Sequence, residues 1–182
     1  MDLVAITVIQ VLNAIAGLAL LSIGLAVIFG MMRVINLAHG EFLMLGAYGV
    51  LVPTQAGVPL WISMFVIAPL FVGVIGVIVE RLIIRHLYGR MMDTLLATWG
   101  LSLLIIGATT MIFGNTMEGV STPFRSFSIG DLADSQYKFF LIGITAAVLA
   151  LVYLVLKYTR FGLIARATMQ NRDQASVLGV SP

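Results

Sequence analysis

Charge is what this chain lacks most. Only 10% of its 182 residues are Asp, Glu, Lys or Arg, where a soluble domain carries roughly a quarter. With 60% hydrophobic residues, there is too little polar surface for an ordinary soluble domain, which leaves a polytopic membrane protein. Cysteine is absent, which excludes disulfides and thiolate metal sites. No Lys or Arg precedes the first apolar run, MDLVAITVIQ, so the n-region of a cleaved signal peptide is missing and the segment is expected to be retained. The net charge of +2 rests on ten basic and eight acidic residues. The basic ones lie beside apolar runs, which explains them without a nucleic-acid partner. There is no P-loop pattern, no metal-ligand spacing and no paired catalytic constellation, so neither an enzyme nor a cofactor is expected. Uphill transport would have to draw on an ion gradient or on a separate ATPase.

The apolar runs predict an all-α fold: about five transmembrane helices plus a short cytoplasmic helix, in a single domain over 1–182. The spans fall at about 3–32, 34–52, 60–79, 93–113 and 139–156, and a polar segment follows at 159–182. Arg81, Arg85 and Arg90 mark one cytoplasmic loop, and Lys157, Arg160, Arg166 and Arg172 another. The 114–138 stretch has no basic excess and reads as an external loop, which puts the N-terminus outside.

The polar residues inside the apolar runs are the candidates for a pathway. In the first run, Asn13, Gly17, Leu20 and Gly24 share a helical stripe, suited to lining a route or to close helix packing. In the second, Asn36 and His39 share a face, whereas Glu41 points roughly 160° from His39 on an unbroken helix. Ionisable groups at depth cost several kcal/mol and face a cavity or a partner. Either the helix is interrupted near His39–Gly40, or two faces are buried; alternatively His39 and Glu41 reach water at the interface. Gly73 and Gly76 mark a packing face in the third run. In the fourth, Thr94, Thr98, Ser102 and Thr109 lie within about 80° of one another. That hydroxyl stripe either lines a polar route or bonds to its own backbone and neighbouring helices.

The last stretch is organised as a short wet helix. Asn171 suits an N-cap, Gln174 the N3 position of an amide capping box, and Gly179 the residue after the helix end. Ala175, Val177 and Leu178 give it a small apolar surface.

GLAVIFGMMRVINLAHGEFLMLGAYG, Gly24 to Gly49, closely resembles the signature of permease subunits of branched-chain (hydrophobic) amino-acid ABC importers. DTLLATWGLSLLI, Asp93 to Ile105, is similar to their matching later span, and Thr159 to Val180 to their cytoplasmic coupling region. Within it, Asp173-Gln174-Ala175 and then Gly179 resemble the EAA-x-x-x-G pattern, with Asp173 and Gln174 departing from it. The resemblance implies a bacterial inner-membrane subunit that pairs with a second permease subunit, two ATP-binding cassette ATPases, an external solute-binding protein and membrane lipid. It also implies that Asn171, Asp173, Gln174, Ala175, Leu178 and Gly179 contact an ATPase. Asn13, Asn36, His39, Glu41, Thr98 and Ser102 are the candidates for the substrate pathway or gate. Such permeases are longer, so the chain reads as a C-terminally truncated piece. The Trp99-Gly100 pair resembles the urea and short-amide branch, which stays open as a substrate alternative. A stand-alone ion or proton channel relaying through His39 and Glu41, or an inactive remnant, are further alternatives.

Overall fold

The computed structural model describes residues 2–32, 34–114, 119, 124, 126–129 and 132–170. Six helices carry the fold: α1 (Asp2–Met32), α2 (His39–Gln55), α3 (Leu60–Leu82), α4 (Met91–Phe113), α5 (Tyr137–Tyr158) and α6 (Arg160–Gln170). A hairpin, β1 (Ser126–Ile129) and β2 (Leu132–Ser135), precedes α5. The chain divides into two compact units, Met1–Met32 with Thr122–Pro182, and Arg33–Ser121. α1, α3, α4 and α5 are long and apolar enough to cross a membrane, and the chain is a polytopic membrane protein.

The first unit is built on α1 and α5. α1 has no charge between Leu3 and Met32, and its Thr7 and Ser22 hydroxyls donate back to the Leu3 and Leu18 carbonyls at 2.8 and 2.7 Å. Those two hydroxyls are thereby satisfied within the helix, as lipid requires. Its 31 residues extend about 46 Å, well beyond the roughly 30 Å hydrocarbon core. Along α1, Gln10 reaches the Asp134 carboxylate, and the Ala16 carbonyl accepts from the Thr145 hydroxyl at 3.4 Å. Neighbours rise together in number, so α1 and α5 run parallel. The close approach is at buried Ala16. Gly17, placed on the packing stripe from sequence, has open space where a Cβ would go.

The 114–138 stretch is not simply loop. Ser-Phe-Ser-Ile alternates polar and apolar residues, the period of a strand, and β1 pairs antiparallel with β2, Ser126 opposite Ser135. Phe127 packs on Phe139 with ring centres 5.2 Å apart, and Phe124 on Phe140 at 5.0 Å. Lys138 closes the junction by donating to Asp134 at 2.6 Å.

At the far end of α5 the chain turns through one residue. Thr159 has extended backbone (φ −107°, ψ 157°), and its Oγ1 accepts from the Gly162 N–H at 3.0 Å. This is an N-cap bond to the third residue of α6. A Cβ on Gly162 would collide with the Val155 and Leu156 carbonyls, so only glycine lets α6 fold against the last turn of α5. Sequence reasoning did not find this cap. Asn171, Asp173, Gln174, Ala175, Leu178 and Gly179 lie outside the described residues.

The second unit corrects the expected span at 34–52. Residues 34–38 are not helical, and α2 begins at His39 and runs for 17 residues. The Asn36 carboxamide accepts the Ala38 N–H at 3.0 Å, an Asx turn that competes with the helix. α2 packs antiparallel on α3: a Cβ on Gly49 would sit 3.1 Å from the Ala68 Cα, and one on Gly46 would sit 3.8 Å from Val72. The packing face of α3 is therefore Ala68 and Val72. Gly73 and Gly76 have nothing within 4 Å of an added Cβ. α4 is the most enclosed of the four long helices, with 28% of its apolar window buried against 6–11% for the others, so the site is built on it.

Candidate functional site

The hydroxyl stripe of α4 is buried along its length: Thr94, Thr98, Ser102 and Thr109 all face inward. Three of them bond back to their own helix. Thr94 donates to the Arg90 carbonyl at 2.8 Å, Thr98 to Leu95 at 3.0 Å and Thr109 to Ile105 at 2.7 Å. Two also reach across to the chain around the start of α2. The Thr98 hydroxyl accepts from the Leu37 N–H at 3.2 Å and lies 3.3 Å from the Ile35 carbonyl. It thereby satisfies backbone groups that the missing helical turn leaves open, the condition for irregular backbone within a membrane protein.

Ser102 donates to the Glu41 Oε1 at 2.8 Å. Ser102 is the central residue of α4, with eleven residues before it and eleven after. Glu41 therefore stands level with the middle of α4. It belongs to the first turn of α2, where the helix dipole favours negative charge. Its Oε2 is buried and has no hydrogen-bond partner among the described residues. Next to Glu41 and Ser102 in sequence, Ala38, Leu101 and Ile105 form a buried apolar cluster, with Phe42, Met44, Leu45 and Val79 packed against it. One carboxylate oxygen is held and the other is open to a donor, in a setting that is otherwise apolar.

Beyond Glu41 the same stripe of α2 borders a cavity. Leu45, Tyr48 and Val52 follow Glu41 at helical spacing and line an apolar space of about 240 Å³ with Gly49, Pro53, Ile67, Phe71 and Phe113. Tyr48 and Phe113 stack with ring centres 4.2 Å apart. A π-helical turn at Ser63–Ile67, a distortion frequent at functional sites, brings Ile67 into the lining. α2 and α4 run parallel here, from Ile35 beside Thr98 to Tyr48 against Phe113.

A family model described as branched-chain amino acid transport system / permease component matches residues 7–182. The chain belongs to that family. It is a transport permease, not an enzyme, and an ABC permease family implies ATPase and binding-protein partners in general. No curated protein and no solved structure gives a significant match.

Of the residues singled out from sequence, the permease brings Asn36, Glu41, Thr98 and Ser102 together. His39 opens α2 but points roughly 160° from Glu41. Asn13 belongs to the first unit, where its Oδ1 is buried without a hydrogen-bond partner among the described residues. Trp99 lies on the exposed side of α4 and adds nothing to the site within this chain. Sequence reasoning missed the cavity. Its signal was present in the aromatic pair Tyr48 and Phe113, which periodicity within one helix does not connect.

Proposed function

We propose that the permease passes branched-chain or similar hydrophobic amino acids across the membrane, with Glu41 receiving the ammonium group and the α2–α3–α4 cavity receiving the side chain. The observation that carries this is the shared stripe on α2. A buried carboxylate oxygen without a partner stands one to two helical turns from an apolar cavity, roughly 6–10 Å along the axis. A zwitterion with a small apolar side chain needs that combination. Urea carries neither a cation nor an apolar tail, so the cavity favours the amino acid. The Asx turn at Asn36 and the Thr98 bridge hold the break that aims Glu41 inward.

The 17-residue α2 and the segment before it would together form a fifth, broken crossing alongside α4. The parallel run of α1 and α5 supports this, because three crossings must then separate them. The N-terminus would lie outside and 159–182 on the cytoplasmic side. Movement would be driven by ATPase subunits acting on the 159–182 segment, including Asn171, Asp173, Gln174, Ala175, Leu178 and Gly179, with a second permease subunit completing the pathway and an external binding protein delivering substrate.

The test is uptake by the complete transporter in vesicles, with its ATPases and binding protein, of labelled leucine against labelled urea. ATP-dependent leucine uptake that unlabelled valine suppresses is the expected result. Urea uptake without leucine uptake would overturn the reading.

A further inference from the structure

The end of α5 and α6 lie before the proposed coupling residues Asn171 to Gly179 and carry exposed side chains to which the transport reading gives no individual role. α5 is a membrane span that ends at Tyr158, and Thr159 alone separates it from α6. The bend is fixed by the Thr159 cap and by the contact of Gly162 with the Val155 and Leu156 carbonyls, so α6 cannot project freely from the membrane. One face of α6 is taken by the protein: Gly162 and Ala165 are buried, and Met169 meets Gly30 of α1. On the far side, by helical periodicity, Leu163 and Ile164 are 63% and 44% exposed, and Phe161, at the edge of the packed face, is 60% exposed.

The charge around that apolar face has one sign. Arg160 falls between Leu163 and Ile164 by helical periodicity, Lys157 and Arg166 lie to either side in sequence, and no Asp or Glu occurs between Asp134 and Asp173. Lys157 is positioned in advance. Its Nζ donates to the Tyr153 hydroxyl at 2.6 Å and lies 5.0 and 5.3 Å from the Tyr153 and Tyr158 ring centres. Exposed apolar side chains with cations among them and no acidic group, tied by one residue to the end of a span, suit the headgroup layer, where Lys and Arg keep their charge at the lipid phosphates. Tyrosines at that depth are its usual companions.

We propose that the α5–α6 elbow is a binding site for anionic phospholipid headgroups. Leu163 and Ile164 enter the acyl boundary, while Lys157, Arg160 and Arg166 hold lipid phosphates. This site is independent of which solute the permease carries.

Two measurements on the full chain test it. The chain is first placed in bilayers of three parts phosphatidylcholine to one part phosphatidylglycerol, and the lipid retained after detergent extraction is identified by native mass spectrometry. Enrichment of phosphatidylglycerol over the bulk ratio is expected. It should fall on the order of five-fold per charge removed in K157Q, R160Q and R166Q, and persist in the charge-keeping variant K157R/R160K/R166K. In the second measurement, Leu163→Cys gives a single labelling position, since the chain has no cysteine. A fluorophore there should be quenched by lipids brominated near the headgroup. Retained lipid at the bulk ratio, or equal loss in the charge-keeping variant, would overturn the proposal. So would a label that is unquenched by lipid and shielded only when an ATPase is bound, which would assign the face to a protein partner.

Discussion

The Ser102 hydroxyl donates to the Glu41 carboxylate at 2.8 Å, from the midpoint of a helix of 23 residues. This bond joins α4 to the start of α2 and leaves the second carboxylate oxygen buried without a partner. Ser102→Ala removes the only donor to Glu41 found among the described residues. A buried charged group that loses its partner costs about 1–3 kcal/mol or more. We expect the purified variant to melt several degrees below wild type in the same lipid, while the double variant Ser102→Ala/Glu41→Leu recovers part of the loss. No recovery in the double variant would mean that the bond contributes little.

Thr98 links the break before α2 to α4. Thr98→Val keeps the shape and removes the hydroxyl that accepts from the Leu37 N–H. The orphaned amide should cost about 1–3 kcal/mol, whereas Thr98→Ser should stay close to wild type. Thermal unfolding of both variants in nanodiscs checks this. Equal melting of the two would remove Thr98 from the account of the break.

Much of this was legible in the sequence, for definite reasons. Apolar runs fix where helices form, because lipid leaves the backbone no other partner, and four of the expected spans appear within a few residues of their predicted bounds. The Thr94–Thr98–Ser102–Thr109 stripe follows from 3.6-residue periodicity and is buried as a unit. An interruption near His39–Gly40 was one of three open readings; the non-helical stretch lies just before it, at 34–38. Hydropathy cannot detect an Asx turn at Asn36 closed by a threonine on another helix. Gly73 and Gly76 were misread because a glycine announces possible closeness, not which helix comes close. Gly49 and Gly162 carry the real contacts. The Thr159 cap was overlooked although Thr followed by an amphipathic run is a helix start, because the more obvious Asn171 signal lay close behind it.

The elbow between α5 and α6 depends on a missing side chain. Gly162→Ala would place a methyl group against the Val155 and Leu156 carbonyls, so α6 must swing away from α5. Spin labels at Leu149→Cys and Leu163→Cys in this cysteine-free chain should give one narrow distance distribution with Gly162 and a shifted or broadened one with Gly162→Ala. Thr159→Ala, which removes a cap worth roughly 1 kcal/mol, should broaden it less. Identical distributions for all three would contradict the close packing.

The hairpin junction should respond to acid. The Lys138 ammonium, followed by the Ser135 N–H, holds the Asp134 carboxyl below the usual carboxylate range. A lowered folded pKa stabilises the junction fully above the unfolded value, and that stability is lost as pH falls through the folded value. Amide exchange of the hairpin, corrected for intrinsic rates, should therefore gain protection from acid towards neutral pH. Asp134→Asn should flatten the dependence. An unchanged profile in Asp134→Asn would place the acid sensitivity elsewhere.

Transport itself tests the central claim most directly, by comparing Glu41→Gln with Asp93→Asn in the complete transporter. Asp93 is a half-exposed residue paired with Arg90 at 3.5 Å, and its loss should leave uptake near wild type. Glu41→Gln keeps the shape and a hydrogen-bonding oxygen for Ser102 but removes the charge that would receive an ammonium group. ATP-dependent leucine uptake at subsaturating concentration should fall roughly ten- to a hundred-fold, the value of a charged hydrogen bond, at matched expression and melting temperature. Wild-type leucine uptake by Glu41→Gln would contradict the placement of Glu41 on the substrate's path.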